Sequence, residues 1–238
     1  MLMACSAEGQ IIPKNTQVLQ FTVNGQTREA LVYIPANAQN EPTPVIFAFH
    51  GHGGTMRNMY YTRRFDTLWR KAIFVCPQGL NTPGLLTDPE GKRSGWHMET
   101  DSSNIDLQFF DVMLRQLKTN YHIDPTRIYA TGHSNGGGFT YLLWATRGDN
   151  FAAMAPTASA AGRLNTLLRP KPALHALGTK DPLVLPAMQR RTCDYVREMN
   201  QCAATGQAVA EYTTLYPSDT GNPFILYEHP GGTIIPRR

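Results

Sequence analysis

The chain has 238 residues, a formal net charge of +4, 42% hydrophobic residues and 17% charged residues. This length fits one α/β domain with a substantial core, and the composition is too apolar for a disordered chain. No dense run of lysine and arginine with interleaved aromatic residues occurs, which argues against a nucleic-acid partner. No apolar stretch is long enough to span a bilayer, so we expect no transmembrane segment.

The N-terminus carries no intact signal peptide, because it lacks both a charged region and an apolar region of the required length. The opening run Met1-Leu2-Met3-Ala4-Cys5 resembles the tail of a lipoprotein signal just before a lipidated cysteine. Two interpretations stay open: a lipid anchor through Cys5, or a flexible leader over residues 1–15 without a role of its own.

The four cysteines give little direction. Cys76 lies in an apolar run, which is typical of a buried packing residue. Cys193 and Cys202 are too far apart to form a disulfide if one continuous helix joins them, since nine residues of helix span about 13 Å. The pairing stays open if the helix ends between them. No spacing of cysteine and histidine indicates a zinc site, and nothing in the sequence calls for a cofactor.

The first predicted element is a hairpin from Val18 to Pro35, with Asn24-Gly25 between two alternating runs. Five continuous apolar runs then predict strands that are buried on both faces of a parallel sheet. These runs are Val45–Phe49, Ala72–Cys76, Arg127–Thr131, Ala152–Pro156 and Ala173–Leu177.

Two helices are predicted between these strands. Ser103 to Tyr121 has apolar residues at helical spacing, and Pro186 to Asn200 forms the second helix. Strands that alternate with helices predict an α/β fold: a mostly parallel central sheet with an antiparallel N-terminal edge and helices on both faces. Only Ala160 to Lys171 separates two of the strands. That segment is too short for a cap domain, so we expect an open site.

The sequence Gly132-His133-Ser134-Asn135-Gly136 lies between a predicted strand and an apolar helix. A serine on such a sharp strand-to-helix turn is typical of the nucleophile in α/β-hydrolases, and the flanking glycines avoid collisions with neighbouring backbone. The turn also places Ser134 at a helix N-terminus, where developing negative charge is stabilised. The alternative is a glycine-rich turn with a purely structural role.

The chain order of α/β-hydrolases, serine, then acid, then histidine, selects the other two candidates. His229 is the only histidine that follows the plausible acids, and Asp181 follows a predicted strand at its carboxyl end. Asp181 would orient His229 and stabilise its charged form. Asp194, in a helix, and Asp219, in a turn, are interpreted as surface charges.

A second turn, His50-Gly51-His52-Gly53-Gly54, follows an early strand. Turns of this kind supply a backbone N–H to the oxyanion hole, and we assign the two donors to His52 and Asn135. Gly51 and Trp96 are candidate substrate-binding residues; Trp96 could stack on an aromatic or sugar group, or be partly buried under its loop. A metal at the two histidines is disfavoured, because no carboxylate follows at ligand spacing.

Several motifs together resemble the poly(3-hydroxybutyrate) depolymerase, feruloyl esterase and acetylxylan esterase group of α/β-hydrolases, from about Thr27 to Gly232. The motifs are His50–Gly54, Pro77-Gln78-Gly79, Gly95-Trp96, Asp124–Tyr129, Gly132–Gly137 and Gly178–Asp181. They are specific to the group and do not separate its substrate classes.

The resemblance implies a single α/β-hydrolase catalytic domain over residues 16–238 without metal or cofactor. The implied reaction is hydrolysis of a carboxylic ester through an acyl-enzyme, with a polyester or a plant cell-wall ester as the substrate, which implies a secreted or periplasmic enzyme. An acyltransferase that uses the same triad, a peptidase and a non-catalytic binding module remain as alternatives. The sequence makes no prediction of the oligomeric state.

Overall fold

The computed structural model describes residues 13–84 and 86–233. Cys5 and most of the predicted leader over residues 1–15 lie outside the described residues, so the predicted lipid anchor is untested. Within the described residues, no helix combines the length and the apolar character that crossing a membrane requires.

Ten of the strands form one large sheet, and two short strands form a separate ribbon. The strands are β1 (Thr16–Val23), β2 (Gln26–Tyr33), β3 (Thr43–Phe49), β4 (Ile73–Pro77), β5 (Leu80–Asn81), β6 (Ser94–Gly95), β7 (Ile123–His133), β8 (Ala153–Thr157), β9 (Ala173–Gly178), β10 (Gln207–Ala210), β11 (Thr213–Tyr216) and β12 (Phe224–His229). The large sheet has the order β1-β2-β4-β3-β7-β8-β9-β12-β11-β10. Strands β4, β3, β7, β8, β9 and β12 are parallel, and β1 and β2 form an antiparallel edge. The predicted fold class is confirmed.

The N-terminal hairpin has the two-residue turn that its sequence predicts. Val23 pairs with Gln26, which leaves Asn24 and Gly25 as the turn. Both residues have positive φ angles, 49° and 77°, as the preferred hairpin turn requires.

The two helices predicted with bounds, over Ser103–Tyr121 and Pro186–Asn200, begin and end close to their predicted positions, and α1 and α2 were not predicted. They are α1 (Met56–Arg63), α2 (Phe65–Leu68), α3 (Ile105–Asn120), α4 (Asn135–Arg147) and α5 (Pro186–Met199). The Asn104 side chain caps α3 by accepting from the amides of Asp106 and Leu107, at 2.9 and 3.2 Å. Pro186 opens α5, where its missing N–H has no consequence.

The parallel strands are covered on both faces, as β3 illustrates. Phe47 and Phe49 belong to the apolar core that includes α3, α4 and α5. Ile46 and Ala48, which alternate with them, pack with α1 on the opposite face. This alternation within a continuously apolar strand confirms a sheet with helices on both faces.

The connection between β8 and β9 contains only a short 3-10 turn, Gly162–Leu167, and carries no cap domain. The far edge of the sheet differs from expectation, because β10 and β11 extend it with antiparallel pairs. The residues of β10 are all exposed, so they show none of the apolar alternation that would have indicated a strand.

A buried ion pair ties the N-terminal hairpin to α3. Arg28 on β2 and Asp106 lie 2.7 Å apart, with side chains that are 1% and 0% exposed. The second carboxylate oxygen accepts from both the amide and Nδ1 of His97, each at 2.8 Å. Burial alone would raise the pKa of Asp106, but His97 and Arg28 outweigh it and lower that pKa. The pair therefore holds the segment that contains Trp96 against the start of α3.

We expect Asp106→Asn to lower the free energy of unfolding by about 3–5 kcal/mol, because it leaves Arg28 buried without a counter-charge. Asp111→Asn is the matched control on the same helix, since Asp111 pairs with Arg147 where both side chains are partly exposed. That control should lose about 1 kcal/mol or less. Urea unfolding of both variants measures the difference, and equal losses would contradict the proposed importance of burial.

Candidate active site

Ser134 occupies the turn between β7 and α4, in a strained backbone conformation. Its φ angle is 54° and its ψ angle is −117°, outside the regions that serine normally adopts. The Ser134 amide donates to the carbonyl of Thr157 at the end of β8, at 2.9 Å. Strain of this kind persists only where surrounding structure fixes it, and it clusters at active sites.

The two glycines of the turn are required by close backbone approach, as the sequence predicts. A Cβ on Gly132 would lie 2.1 Å from the carbonyl oxygen of Gly136. A Cβ on Gly136 would lie 2.3 and 2.4 Å from the carbonyl oxygens of Phe49 and His50. The first turn of α4 is thus pressed against the carboxyl end of β3, which fixes the position of Ser134.

The turn that follows β3 lies beside Ser134. A Cβ on Gly51 would lie 3.5 Å from Ser134 Cβ. The backbone amides of His52 and Asn135, the two predicted oxyanion donors, have no hydrogen-bond partner among the described residues. The side chains of His52 and Asn135 both lie next to Gly95, because a Cβ on Gly95 would lie 2.6 Å from His52 Nδ1 and 3.1 Å from Asn135 Oδ1. The structure therefore brings Gly51, His52 and Asn135 together with Ser134.

The prediction that Trp96 stacks on substrate is wrong, and the alternative of burial under its loop fits instead. The side chain is 1% exposed, and its ring packs against Phe49 and Phe139 with centroids 5.2 and 5.1 Å apart. The indole N–H donates to the His50 carbonyl at 2.8 Å. The Trp96 backbone binds the Asn135 carboxamide in both directions: its amide donates to Oδ1 at 2.8 Å, and its carbonyl accepts from Nδ2 at 3.3 Å. Trp96 thus joins the two segments that carry the predicted oxyanion donors.

The His52 imidazole has a carboxylate partner on the loop between β5 and β6. His52 Nε2 lies 3.0 Å from Asp88 Oδ2, which also accepts from the Arg93 amide at 2.8 Å. The hydrogen bond with His52 is the main cause that lowers the pKa of Asp88. In the part of the chain that the structure describes, no group of three or more His, Cys, Asp or Glu residues is arranged to hold a metal ion.

Asp181, the predicted acid, lies in the loop after β9 and accepts hydrogen bonds from four donors. Oδ1 accepts from the amides of Leu183 and Val184 at 2.9 and 3.0 Å, and from the Thr233 hydroxyl at 2.7 Å. Oδ2 accepts from Gln189 Nε2 at 3.3 Å. The carboxylate is 2% exposed, so these donors replace the water that an ionised carboxylate needs. Sequence reasoning missed Thr233 and Gln189.

His229, the predicted base, ends β12 and pairs in register with Gly178 at the end of β9. Its side chain is buried, its Nδ1 accepts from the Gly231 amide at 3.2 Å, and its Nε2 has no partner among the described residues. Burial lowers the pKa of His229 below 6.5, and the charge of Asp181 partly opposes that effect. The same charge acts on His133, where burial is the largest effect and lowers the pKa to about 4.

The three candidate triad residues therefore lie at or just beyond the carboxyl ends of β7, β9 and β12, which are parallel strands of one sheet. Neither hydrogen bond of a fully formed triad is present in this arrangement, since Asp181 and His229 Nδ1 each bind other groups and His229 Nε2 has no partner among the described residues. Asp194 is a largely exposed partner of Arg197, and Asp219 is exposed, as expected of surface charges.

Cys76, Cys193 and Cys202 are free cysteines. Helix α5 ends at Met199, between Cys193 and Cys202. One continuous helix therefore does not hold the two cysteines apart, and on this ground a disulfide between them was still open. The two thiols are nevertheless unpaired. The Cys202 thiol donates instead to the carbonyl of Asn222, at 3.7 Å.

Curated relatives resemble more than half of this chain's sequence. Feruloyl esterase D of Neurospora crassa is 29% identical over 157 residues, which is 60% of this chain and 49% of that protein. Feruloyl esterase C of Emericella nidulans is 31% identical over 144 residues, 56% of this chain and 46% of that protein. In both cases the matched part spans about half the length of the curated relative.

Solved structures of low sequence identity share the fold. An acetyl xylan esterase from Aspergillus awamori superposes with a TM-score of 0.70 at 15% identity, covering 93% of this chain and 96% of that one. A ferulic acid esterase from Anaeromyces mucronatus, solved with ferulic acid, gives 0.64 at 15% identity over 95% and 87% of the two chains. A family model described as "Putative esterase" matches residues 22–188, which include the strained turn at Ser134 and the candidate acid Asp181. The chain belongs to this esterase family.

Proposed function

We propose that this chain is a serine carboxylic-ester hydrolase that works through an acyl-enzyme. One observation carries the proposal: Ser134 occupies a strained turn beside two backbone amides that have no partner among the described residues. A nucleophile next to preorganised hydrogen-bond donors is the arrangement that acyl transfer needs. The candidate acid and base at the ends of neighbouring strands support the same chemistry.

In the proposed reaction, Ser134 Oγ attacks the ester carbonyl carbon while His229 Nε2 takes the hydroxyl proton. The carbonyl oxygen becomes an oxyanion, which the amides of His52 and Asn135 stabilise; such a donor contributes about 3 kcal/mol to the transition state. The imidazolium then protonates the departing alcohol. Water attacks the acyl-enzyme by the same route and releases the acid and free Ser134.

The hydrogen bonds of His229 impose a condition on the first step. An Nδ1 that accepts from Gly231 carries no proton, so in this arrangement the proton is on Nε2. A general base at Nε2 requires the other tautomer, with Nδ1–H donating to Asp181. Catalysis therefore requires Nδ1 to leave the Gly231 amide and to face Asp181.

The substrate class that we propose is an ester of plant cell-wall polysaccharide, either feruloyl or acetyl. The names of the relatives support it, since feruloyl esterases and an acetyl xylan esterase are among them. The absence of a cap between β8 and β9 leaves room for a polymer-bound ester. A polymeric substrate cannot enter the cell, so we further propose that the enzyme acts outside the cytoplasm, with Cys5 as a candidate anchor.

We expect Ser134→Ala to abolish hydrolysis of p-nitrophenyl acetate and labelling by a fluorophosphonate probe, because the attacking oxygen is lost. Ser159→Ala is the control, since Ser159 is a buried serine just beyond β8 whose hydroxyl has no partner among the described residues. It should keep its activity and its labelling. Circular dichroism and thermal unfolding check that both variants fold, and a Ser134→Ala variant of near wild-type activity would refute the proposed nucleophile.

We expect kcat/KM to rise with pH through a pKa below 6.5 and then to stay level through neutral pH. His229 must be neutral to act as a base, and burial lowers its pKa below 6.5. The pH dependence of kcat/KM for p-nitrophenyl acetate between about pH 4 and pH 9 measures this rise. A rise in kcat/KM with a pKa above 6.5 would contradict the expected effect of burial.

A substrate panel tests the proposed class. We expect methyl ferulate or acetylated xylan to be hydrolysed with a kcat/KM at least about tenfold above that for a polyester. This ratio corresponds to a difference of about 1.4 kcal/mol in activation free energy. The polyester is supplied as soluble hydroxybutyrate oligomers, and Ser134→Ala is the blank for each substrate. Preference for the hydroxybutyrate oligomers would reassign the substrate class and leave the serine mechanism intact.

A further inference from the structure

We propose that Gln189 is a positioning residue for Asp181, and that a buried chain of hydrogen bonds through His175 to Tyr141 holds it in place. The inference rests on the proposed function, because it assigns Asp181 the role of the acid. It adds three residues, Tyr141 on α4, His175 on β9 and Gln189 on α5, to the support of the site.

The chain of contacts is continuous. The Tyr141 hydroxyl lies 2.9 Å from His175 Nδ1, and His175 Nε2 lies 3.0 Å from Gln189 Oε1. Gln189 Nε2 then donates to Asp181 Oδ2 at 3.3 Å and to the Val184 carbonyl at 2.7 Å. Tyr141, His175 and Gln189 are at most 1% exposed, so these groups are shielded from bulk solvent.

This series of hydrogen bonds ends at Asp181, and the acceptors at that end determine the direction of every hydrogen bond in the series. An ionised carboxylate and the Val184 carbonyl are both acceptors, so the Gln189 amide nitrogen must face them and Oε1 must face His175. His175 Nε2 therefore carries a proton, and Nδ1 is an acceptor. The Tyr141 hydroxyl must then donate to Nδ1. One arrangement of protons satisfies all of these groups.

The two ionisable members of the chain stay neutral, which preserves this arrangement. Burial lowers the pKa of His175 to about 4, although its hydrogen bond with Gln189 acts in the opposite direction. Burial also raises the pKa of Tyr141 well above 10. At neutral pH neither His175 nor Tyr141 therefore carries a charge.

The consequence for Asp181 is a fixed carboxylate plane. Leu183, Val184 and Thr233 hold Oδ1, and Gln189 alone among the described side chains holds Oδ2. A carboxylate that is held on both oxygens cannot rotate, so it presents one orientation to His229. Loss of the Gln189 donor would free Oδ2 to turn.

The other ionisable groups nearby do not share this role. Cys193 lies one turn further along α5, and burial raises the pKa of its thiol. Arg190, next to Gln189, forms an ion pair with Glu228 on β12, and both side chains are partly exposed. A carboxyl group introduced at position 189 would therefore face Asp181 and His175.

The variant Gln189→Glu tests the proposal through the pH profile. The introduced carboxyl group keeps an O–H donor for Asp181 when it is protonated, whereas its ionised form places a second carboxylate against Asp181. Burial and the charge of Asp181 raise the pKa of such a group above its usual value. We expect the ratio of variant to wild-type kcat/KM to fall by about tenfold or more as the introduced group ionises between acidic and neutral pH.

Thr192→Val is the matched control on the same helix. Thr192 is buried and its hydroxyl accepts from the Ala161 amide at 3.2 Å, so the control removes a buried hydrogen bond on α5 that does not touch Asp181. Its activity ratio should be independent of pH. A pH-independent ratio for Gln189→Glu, or the same slope in both variants, would overturn the proposal.

A measurement on the wild-type protein covers the case in which Gln189→Glu does not fold. Nitrogen-15 NMR of the histidine side chains should show His175 as the Nε2–H tautomer alone at neutral pH, and a proton on Nδ1 would overturn the chain. This readout does not depend on catalysis. The proposed esterase function is refuted by a different result: ester hydrolysis that persists in Ser134→Ala, or that is absent from the wild-type protein.

Discussion

The contact between the first turn of α4 and the carboxyl end of β3 is the constraint on which the candidate site depends. Gly136 lies so close to the carbonyls of Phe49 and His50 that a single added carbon would collide with both. This approach forces the chain to turn sharply at Ser134, and it places the loop after β3 beside the serine. The same contact therefore creates the strain at the candidate nucleophile and brings the candidate oxyanion donors close to it.

Burial then determines the chemistry of the groups around that turn. Four donors hold the Asp181 carboxylate inside the protein, whereas His229 accepts from one donor and burial lowers its pKa. Burial therefore favours the neutral form of His229, which is the form that a general base requires. Trp96 contributes in a similar way, because its indole and its backbone fix the positions of His50 and Asn135 without contacting solvent.

Much of the fold could be predicted from the sequence, because its signals are local. The Asn24-Gly25 turn, the apolar runs and the glycines around Ser134 each have one favoured local structure, and each was found where expected. Strands β10 and β11 could not be predicted, since their residues are exposed or half-buried and pair at an edge where no apolar pattern is needed.

The site was predicted less completely, because its supporting contacts join residues that are distant in the chain. Trp96 has the size and shape of a stacking platform, and only the structure reveals that Phe49 and Phe139 bury it. Thr233 reaches Asp181 across 52 positions of sequence. Gln189 did carry a signal: it shares the buried face of α5 with Thr192, Cys193 and Val196. A polar side chain on such a face needs a buried partner.

The loops that carry the candidate acid and the candidate base are joined by hydrogen bonds, and this limits how the proposed triad can form. The Thr179 amide donates to the His229 carbonyl and the Lys180 amide to the Gly231 carbonyl, both at 2.9 Å. The Thr233 hydroxyl holds Asp181 from the same segment. Because the backbone on both sides of the base is held against the loop of the acid, a large loop movement would separate the two groups that must meet. The exchange of partners at His229 Nδ1 is therefore best achieved by rotation of the imidazole, with the backbone and the Asp181 carboxylate held still.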